Sequence, residues 1–202
     1  MRKNTIAGKE IGVLYAMTLL CSLIGWVLET LYYVVIGRGV LDRGFFSLPI
    51  CPVYGFACVL CYLCFGLPER PRFFARQLPV SRRAKSRLAH ALFYTVGGAL
   101  VSVFCELIGG ASMHRLFSVR MWDYSNLAVH FEGYISLAFG LAFGALMLMF
   151  MHFAFPRLLR LVCAVRRADL HAVLLTVSIL LLCDISLNCT YAYVTHSHLA
   201  LF

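Results

Sequence analysis

The chain has 202 residues, of which 61% are hydrophobic and 13% are charged, and its formal net charge is +9. A typical soluble domain is about 45–50% apolar and about 25% charged, so a soluble fold of this size could not hide the apolar excess. The composition therefore excludes a soluble globular domain and predicts an integral membrane protein, whose first partner is the lipid bilayer. The basic residues lie in short segments between apolar runs, where loops meet anionic headgroups, and this placement argues against nucleic acid as a partner.

Five apolar segments are long enough to be transmembrane helices. A helix needs about 20 apolar residues to cross a hydrocarbon core about 30 Å thick. The sequence therefore predicts an all-α fold, a polytopic transmembrane helix bundle of five spans. In chain order, the predicted spans are Ile11–Ile36, Pro49–Leu67, Leu88–Ala111, Gly133–Phe155 and His171–Val194.

The distribution of lysine and arginine predicts how these spans are oriented. With five spans, the N-terminal segment, the second loop and the fourth loop share one side, and together they carry 14 of the 18 Lys and Arg residues. Cytoplasmic loops carry the excess of such residues. We therefore expect a multi-pass protein of the cell membrane, with its N-terminus inside and its C-terminus outside.

The sequence offers little sign of a metal, a cofactor or a nucleotide. Most of the nine cysteines lie within or beside apolar runs, where cysteine behaves as a small hydrophobe. Cys58, Cys61 and Cys64 recur at every third residue, but no histidine or carboxylate accompanies them in that span. Gly8-Lys9 lacks the rest of a phosphate-binding loop. We therefore predict no metal site and no cofactor.

Two features of the spans predict close helix packing and an internal repeat. Ser136, Gly140 and Gly144 form a ladder of small residues at helical spacing, which lets transmembrane helices approach closely. Spans one and three each carry a glutamate in their outer half, Glu29 and Glu106. Each span is followed by a loop with an aspartate and then by a helix entered through a tyrosine and a glycine, and parallel two-helix repeats of this kind occur in transporters. The paired elements are Asp42 with Asp123, and Tyr54–Gly55 with Gly133–Tyr134.

Three carboxylates fall inside predicted spans. A charged side chain at the centre of a bilayer costs about 2.5–3.5 kcal/mol on insertion scales, so it usually faces protein or water and often serves a function. Glu29 and Glu106 lie towards the outer ends of their spans, whereas Asp184 lies near the middle of span five, one turn before Asn188. Glu29 and Glu106 are candidates for substrate binding, and Asp184 with Asn188 forms a candidate intramembrane polar site. Structural hydrogen bonds to a neighbouring span are the alternative for each.

The two outer loops carry further candidates for a binding site. Arg43 can form a bidentate pair with a carboxylate or a phosphate. Trp122 and Tyr124 suit a membrane interface, but Asp123 between them is not explained by an aromatic belt. We predict that Arg43, Trp122, Asp123 and Tyr124 share one outward-facing substrate site with the two glutamates.

The order of several motifs resembles the ABC-transporter type IV (CmpB-like) permease family. The motifs are Gly25-Trp26-Val27-Leu28-Glu29-Thr30, Asp42-Arg43-Gly44-Phe45, Pro49, Pro52-Val53-Tyr54-Gly55 and Trp122-Asp123-Tyr124-Ser125. This resemblance covers about the first 150 residues. It implies a CmpB-like four-span membrane domain at 1–155, followed at 156–202 by a basic cytoplasmic loop and a fifth transmembrane helix.

The resemblance favours a permease subunit that moves a small solute. Because the chain carries no motor, an ABC-type role requires a separate ATPase subunit on the cytoplasmic face. Acidic groups at membrane depth suit a cationic or amine-bearing solute, or proton coupling. Two alternatives remain: a membrane-embedded enzyme acting on a lipid or cell-envelope precursor, and a non-transporting scaffold or sensor. An enzyme is less favoured, since no nucleophile constellation is present, and a homo-oligomer stays open.

Overall fold

The computed structural model describes residues 2–37, 39, 44–79, 84–197 and 199. Within this part of the chain the fold is mostly helical, as predicted. The helices are α1 (Arg2–Val35), α2 (Pro52–Phe65), α3 (Ala84–Phe117), α4 (Leu137–Phe153), α5 (Phe155–Ala164) and α6 (Arg167–Thr195). Five short strands, absent from the sequence prediction, are β1 (Gly66–Leu67), β2 (Arg70–Phe73), β3 (Arg76–Gln77), β4 (His130–Phe131) and β5 (Ile135–Ser136). The strands β1–β2–β3 form one antiparallel sheet, and β4 pairs with β5.

Three helical stretches of the described chain are long and apolar enough to cross a membrane. They are Glu10–Val35, Ser86–Phe117 and Arg167–Thr195, which correspond to predicted spans one, three and five. The helices α4 and α5 pass the same test together but bend by 45° at their junction, so the number rises to four if the bent pair is one span. The count of five stays a prediction.

The predicted second span is not one continuous helix, which corrects the expectation for Pro49–Leu67. Helix α2 has 14 residues, about 21 Å at the helical rise, and is too short to cross a hydrocarbon core of about 30 Å alone. Two prolines explain the break, because proline suits the first position of a helix and drives the residue before it into an extended conformation. Pro52 opens α2, and Cys51 before it is extended.

The residues before α2 run back along α1. We call 44–51 the return segment. The amide of Cys51 donates to the carbonyl of Ser22 at 3.1 Å, and Ser22 lies near the middle of the stretch Glu10–Val35. The chain therefore leaves the end of α1, returns to its middle as non-helical backbone, and only then begins α2.

The described parts of the second and fourth loops lie at one end of the bundle, which we call the basic end. There the carboxylate of Glu69, beside the β-sheet, pairs with Nδ1 of His152 at 2.6 Å near the end of α4. Tyr94 near the start of α3 donates to the carbonyl of Gly66 at 2.8 Å. The predicted topology requires these loops to lie at the same end of the bundle. The assignment of the basic end to the cytoplasm stays a prediction.

Two helical hairpins pack through glycine in the same way. In the first hairpin (α1, return segment, α2), a Cβ at Gly55 would overlap the carbonyl of Thr18. In the second hairpin (α3, residues 118–136, α4), a Cβ at Gly144 would overlap the carbonyl of Thr95. The small-residue ladder of α4 thus faces α3, and Gly140 lies against Val103 of α3 in the same interface.

These contacts relate the two hairpins through a different pair of positions from the one that the sequence predicted. Thr18 and Thr95 each precede a glutamate by eleven residues, Glu29 and Glu106 respectively. Because Gly55 packs on Thr18 as Gly144 packs on Thr95, the structural partner of Tyr54–Gly55 is Phe143–Gly144. The predicted partner, Gly133–Tyr134, lies in the loop before α4.

Candidate functional site

Glu29 is held by groups at the junction of the return segment and α2. The hydroxyl of Tyr54 donates to Oε2 of Glu29 at 3.2 Å, and the thiol of Cys51 lies 3.7 Å from the same oxygen. Gly25, one turn before Glu29, makes this approach possible, because a Cβ there would overlap the ring of Tyr54. The break in the first hairpin thus places the start of a helix, where partial positive charge favours anions, beside a carboxylate.

Glu106 is more deeply buried and less fully paired. Its side chain is in the second hairpin and the residue is 7% exposed. Oε1 accepts a hydrogen bond from the hydroxyl of Tyr124 at 3.0 Å. Within the described residues, Oε2 is buried and has no hydrogen-bond partner. Leaving a buried acceptor unsatisfied costs about 1–3 kcal/mol, and more for a charged group, so this oxygen marks a position where a partner is expected.

The two glutamates lie close enough for the charge of Glu29 to act on Glu106. A continuous row of aromatic rings joins their hydrogen-bond partners. The ring of Tyr54 meets Phe143 edge-on at 6.2 Å, Phe143 lies 6.1 Å from Phe139, and Phe139 stacks on Tyr124 at 4.9 Å. We call these two glutamates and four rings the paired-glutamate site.

Trp122 and Tyr134 anchor the loop of the second hairpin on α3. The indole Nε1 of Trp122 donates to the carbonyl of Tyr134 at 2.9 Å. Both rings lie against Gly110, where a Cβ would stand 3.2 Å from each. The hydroxyl of Tyr134 is 2.6 Å from Nδ1 of His114. Trp122 therefore supports the loop that places Tyr124 against Glu106. Its described contacts are with Tyr134 and Gly110.

Asp123 makes its described contacts within its own loop. Its Oδ1 accepts the amide hydrogen of Ser125 at 2.9 Å and pairs with Arg120 at 3.4 Å. The hydrogen bonds from Ser125, followed by the charge of Arg120, lower the pKa of Asp123 below its usual value. Gly133 lies directly against this carboxylate with a φ of +73°, so neither the backbone nor the space there suits a larger residue.

Asp184 and Asn188 of α6 bind the return segment of the first hairpin. The carboxylate of Asp184 accepts the amide hydrogens of Ser47 and Leu48 at 3.3 and 3.4 Å. Nδ2 of Asn188 donates to Oγ of Ser47 and to Oδ1 of Asp184, both at 3.1 Å. Non-helical backbone at membrane depth needs such partners. The pair therefore forms a clamp that satisfies the backbone of the return segment.

The structure brings together part of the predicted substrate site. Tyr124 donates to Glu106, and Glu29 lies within electrostatic reach of both residues. Trp122 supports the loop, and Arg43 lies outside the described residues. Sequence reasoning missed four participants, although each has a signal: Tyr54 and Phe143 precede the packed glycines, Phe139 precedes Gly140, and Cys51 precedes the helix-opening proline. Among the described residues, no group of three or more His, Cys, Asp or Glu side chains could hold a metal ion.

Comparison with known proteins identifies a family. A family model described as "Putative ABC-transporter type IV" matches residues 16–189, which is most of the chain. The match extends past residue 150, where the motif resemblance was placed, and includes the clamp on α6. The division into 1–155 and 156–202 stays a prediction. No curated protein and no solved structure matches the chain.

Proposed function

Because the chain belongs to the Putative ABC-transporter type IV family, we propose that it is a permease subunit that moves a small solute across the cell membrane through the paired-glutamate site. The observation that carries this proposal is that Glu29 and Glu106, one from each hairpin, lie within electrostatic reach of each other and are linked by a row of aromatic rings. Buried carboxylates among apolar helices are costly and are usually retained for function. A site at the interface of two repeats is also the usual place for a transporter to bind its substrate.

The broken first hairpin supports the same proposal. Helices interrupted at membrane depth are common around transporter binding sites, because the freed helix ends and backbone groups can face a solute. Here the start of α2 lies beside Glu29, and the return segment is tied to α6 by Asp184 and Asn188. This clamp satisfies the backbone of the return segment from α6 and uses neither Glu29 nor Glu106.

An ABC-type permease draws energy from an ATPase, which we propose is a separate subunit on the cytoplasmic face. The basic end is the surface on which that subunit would dock. Helix α5 lies there after the 45° bend, with buried Phe155 and Val162 on one face and exposed Arg157 and Arg160 on the other.

The orientation can be tested by labelling of introduced cysteines. Ser125→Cys in the second-hairpin loop should react with an impermeant thiol reagent from outside intact cells, and Arg76→Cys in β3 should not. Both positions are exposed. The variants need a background without the exposed Cys163 and Cys183. Equal labelling of both positions from outside would contradict the orientation.

Transport can be tested without knowing the solute. Proteoliposomes containing the protein, alone or with a candidate ATPase and ATP, are incubated with a soluble extract, and compounds that enter are identified by mass spectrometry. We expect uptake of a small set of compounds by the wild type and its loss in Glu106→Gln. Asp169→Asn is the matched control, because Asp169 is an exposed carboxylate that pairs with Arg166 on the surface.

Three outcomes would decide between the open functions. Uptake that is equal in wild type and Glu106→Gln would contradict a role for the paired-glutamate site. Chemical change of a compound without uptake would favour the membrane-embedded enzyme. Neither uptake nor chemical change with the ATPase present would favour the scaffold or sensor.

A further inference from the structure

We propose that the paired-glutamate site binds an organic ammonium ion, with the carboxylate of Glu106 as its charge partner and the four aromatic rings as its wall. The inference uses the site on which the proposed permease function rests and names the class of its solute.

The buried carboxylate of Glu106 calls for a positive ligand. Glu106 is 7% exposed, and its Oε2 has no hydrogen-bond partner among the described residues. The charge of Glu29, which has the same sign, also acts on Glu106. A buried carboxylate is stable only when it is paired and hydrogen-bonded. An ammonium group that donates to Oε2 of Glu106 would supply this oxygen with a hydrogen bond and this carboxylate with an opposite charge.

The aromatic wall distinguishes an organic ammonium ion from a bare metal ion. The rings of Tyr54, Phe143, Phe139 and Tyr124 follow one another at centroid distances of 4.9 to 6.2 Å. All four residues are half-buried. Aromatic faces attract ammonium groups within about 6 Å, and cages of such rings are the known solution for binding substituted ammonium ions.

A divalent metal ion fits the described residues less well. Calcium takes six to eight oxygen ligands, and magnesium demands near-octahedral oxygen geometry. The described residues contain no group of three or more His, Cys, Asp or Glu side chains that could hold a metal. An alkylammonium ion needs only a few acceptors for its N–H groups and apolar contacts for its carbon atoms, and the site offers both.

The test measures binding directly on the purified full chain in detergent. Methylammonium and tetramethylammonium chloride are titrated at an ionic strength held constant with sodium chloride, and affinity is followed by calorimetry and by the rise in melting temperature. The neutral compound tert-butanol is the shape control. We expect saturable binding of methylammonium, whose N–H groups can donate to Oε2, with no response to tert-butanol or to exchange of sodium for potassium.

Variants assign the binding to this site. Glu106→Gln should weaken it about ten- to hundredfold, as expected for a lost charge-assisted hydrogen bond. Phe143→Leu should weaken it about 2- to 30-fold through the lost cation–π contact. Phe150→Leu is the matched control, because Phe150 is in the same helix but packs on Phe155, away from the site. The melting temperature without ligand separates lost binding from lost folding.

The results separate this inference from the proposed function. Absence of saturable ammonium binding by the folded wild type, or equal binding by Glu106→Gln, would overturn the inference. A Glu106-dependent response to pH alone, with none to ammonium ions, would also overturn it in favour of a proton site. Glu106-dependent uptake of a neutral or anionic solute would support the permease function and contradict the proposed ammonium ligand. Ammonium binding without uptake of any compound would support the ammonium site and contradict the permease function.

Discussion

The two hairpins share one packing plan but treat their glutamates differently. In each, a threonine eleven residues before the glutamate lies under a glycine of the following short helix. In the first hairpin, Glu29 receives the hydroxyl of Tyr54 from that short helix. In the second, the equivalent position is Phe143, which has no hydroxyl, and Glu106 is reached instead by Tyr124 from the loop. The two hairpins thus share their packing, and where they differ, one carboxylate oxygen of Glu106 has no hydrogen-bond partner among the described residues.

The largest expected effect comes from breaking the shared packing. Gly55→Ala and Gly144→Ala each place a Cβ against a threonine carbonyl, which is backbone and cannot move aside. We expect each to lower the free energy of unfolding in detergent by about 1–3 kcal/mol, as for other overpacked interfaces.

Gly12→Ala is the control for these variants, because the nearest atom to its new Cβ would be a leucine methyl at 3.8 Å. It should be neutral or stabilising by up to about 1 kcal/mol, since alanine favours helix more than glycine does. If Gly55→Ala and Gly144→Ala were as stable as Gly12→Ala, the common packing of the hairpins would be wrong.

Removing the clamp should affect the first hairpin alone. Asp184→Ala leaves the amides of Ser47 and Leu48 without their acceptor, a loss of about 1–3 kcal/mol. Hydrogen exchange measured by mass spectrometry should therefore rise in peptides covering 44–51 and stay unchanged in peptides covering 118–136. A uniform rise in both regions would mean that Asp184 supports the whole bundle rather than the return segment.

A smaller effect follows from exchanging the two equivalent aromatic residues. Tyr54→Phe removes the hydroxyl bound to Glu29 and should lower stability by about 1 kcal/mol. Phe143→Tyr adds a hydroxyl at the equivalent place in the second hairpin. It should raise the melting temperature without ligand and weaken ligand binding, because the new hydroxyl would occupy the open oxygen of Glu106. Loss of stability in both variants would argue against the equivalence of the two positions.

The smallest effect concerns the loop of the second hairpin and depends on pH. The pKa of Asp123 is lowered in the folded protein, so its contacts contribute stability above the unfolded pKa of about 4 and lose it as the pH falls through the folded pKa. The melting temperature of the wild type should therefore be higher than that of Asp123→Asn at pH 6, and this difference should vanish at low pH. A difference in melting temperature that grows as the pH falls would contradict a lowered pKa of Asp123 in the folded protein.

The sequence predicted well those features that depend on long, regular patterns. Runs of apolar residues predicted the long helices, and the role of Glu29 and Glu106 inside them stays a prediction. The break before α2 was missed because Pro49–Leu67 is continuously apolar, and hydropathy does not distinguish a helix from a buried extended segment. Two prolines at its start were the available signal.

The remaining site residues depend on contacts between distant parts of the chain. Phe139 and Phe143 read as ordinary core residues until α4 is packed against α3 and α2. The clamp joins Ser47 to Asn188, which lie 141 residues apart, and no local pattern predicts that contact. Asp123 was grouped with the glutamates because it shares their end of the bundle, but its described partners are Arg120 and Ser125.

The central claim is that Glu29 and Glu106 belong to one site, and a double-mutant cycle tests it without any ligand. Unfolding free energies are measured in detergent for wild type, Glu29→Gln, Glu106→Gln and the double variant. Because like charges repel, neutralising either carboxylate should relieve the other, and we expect the double variant to depart from additivity by about 0.5–3 kcal/mol. Additivity within about 0.5 kcal/mol is the behaviour of residues more than about 7–10 Å apart with no shared partner, and it would contradict a common site.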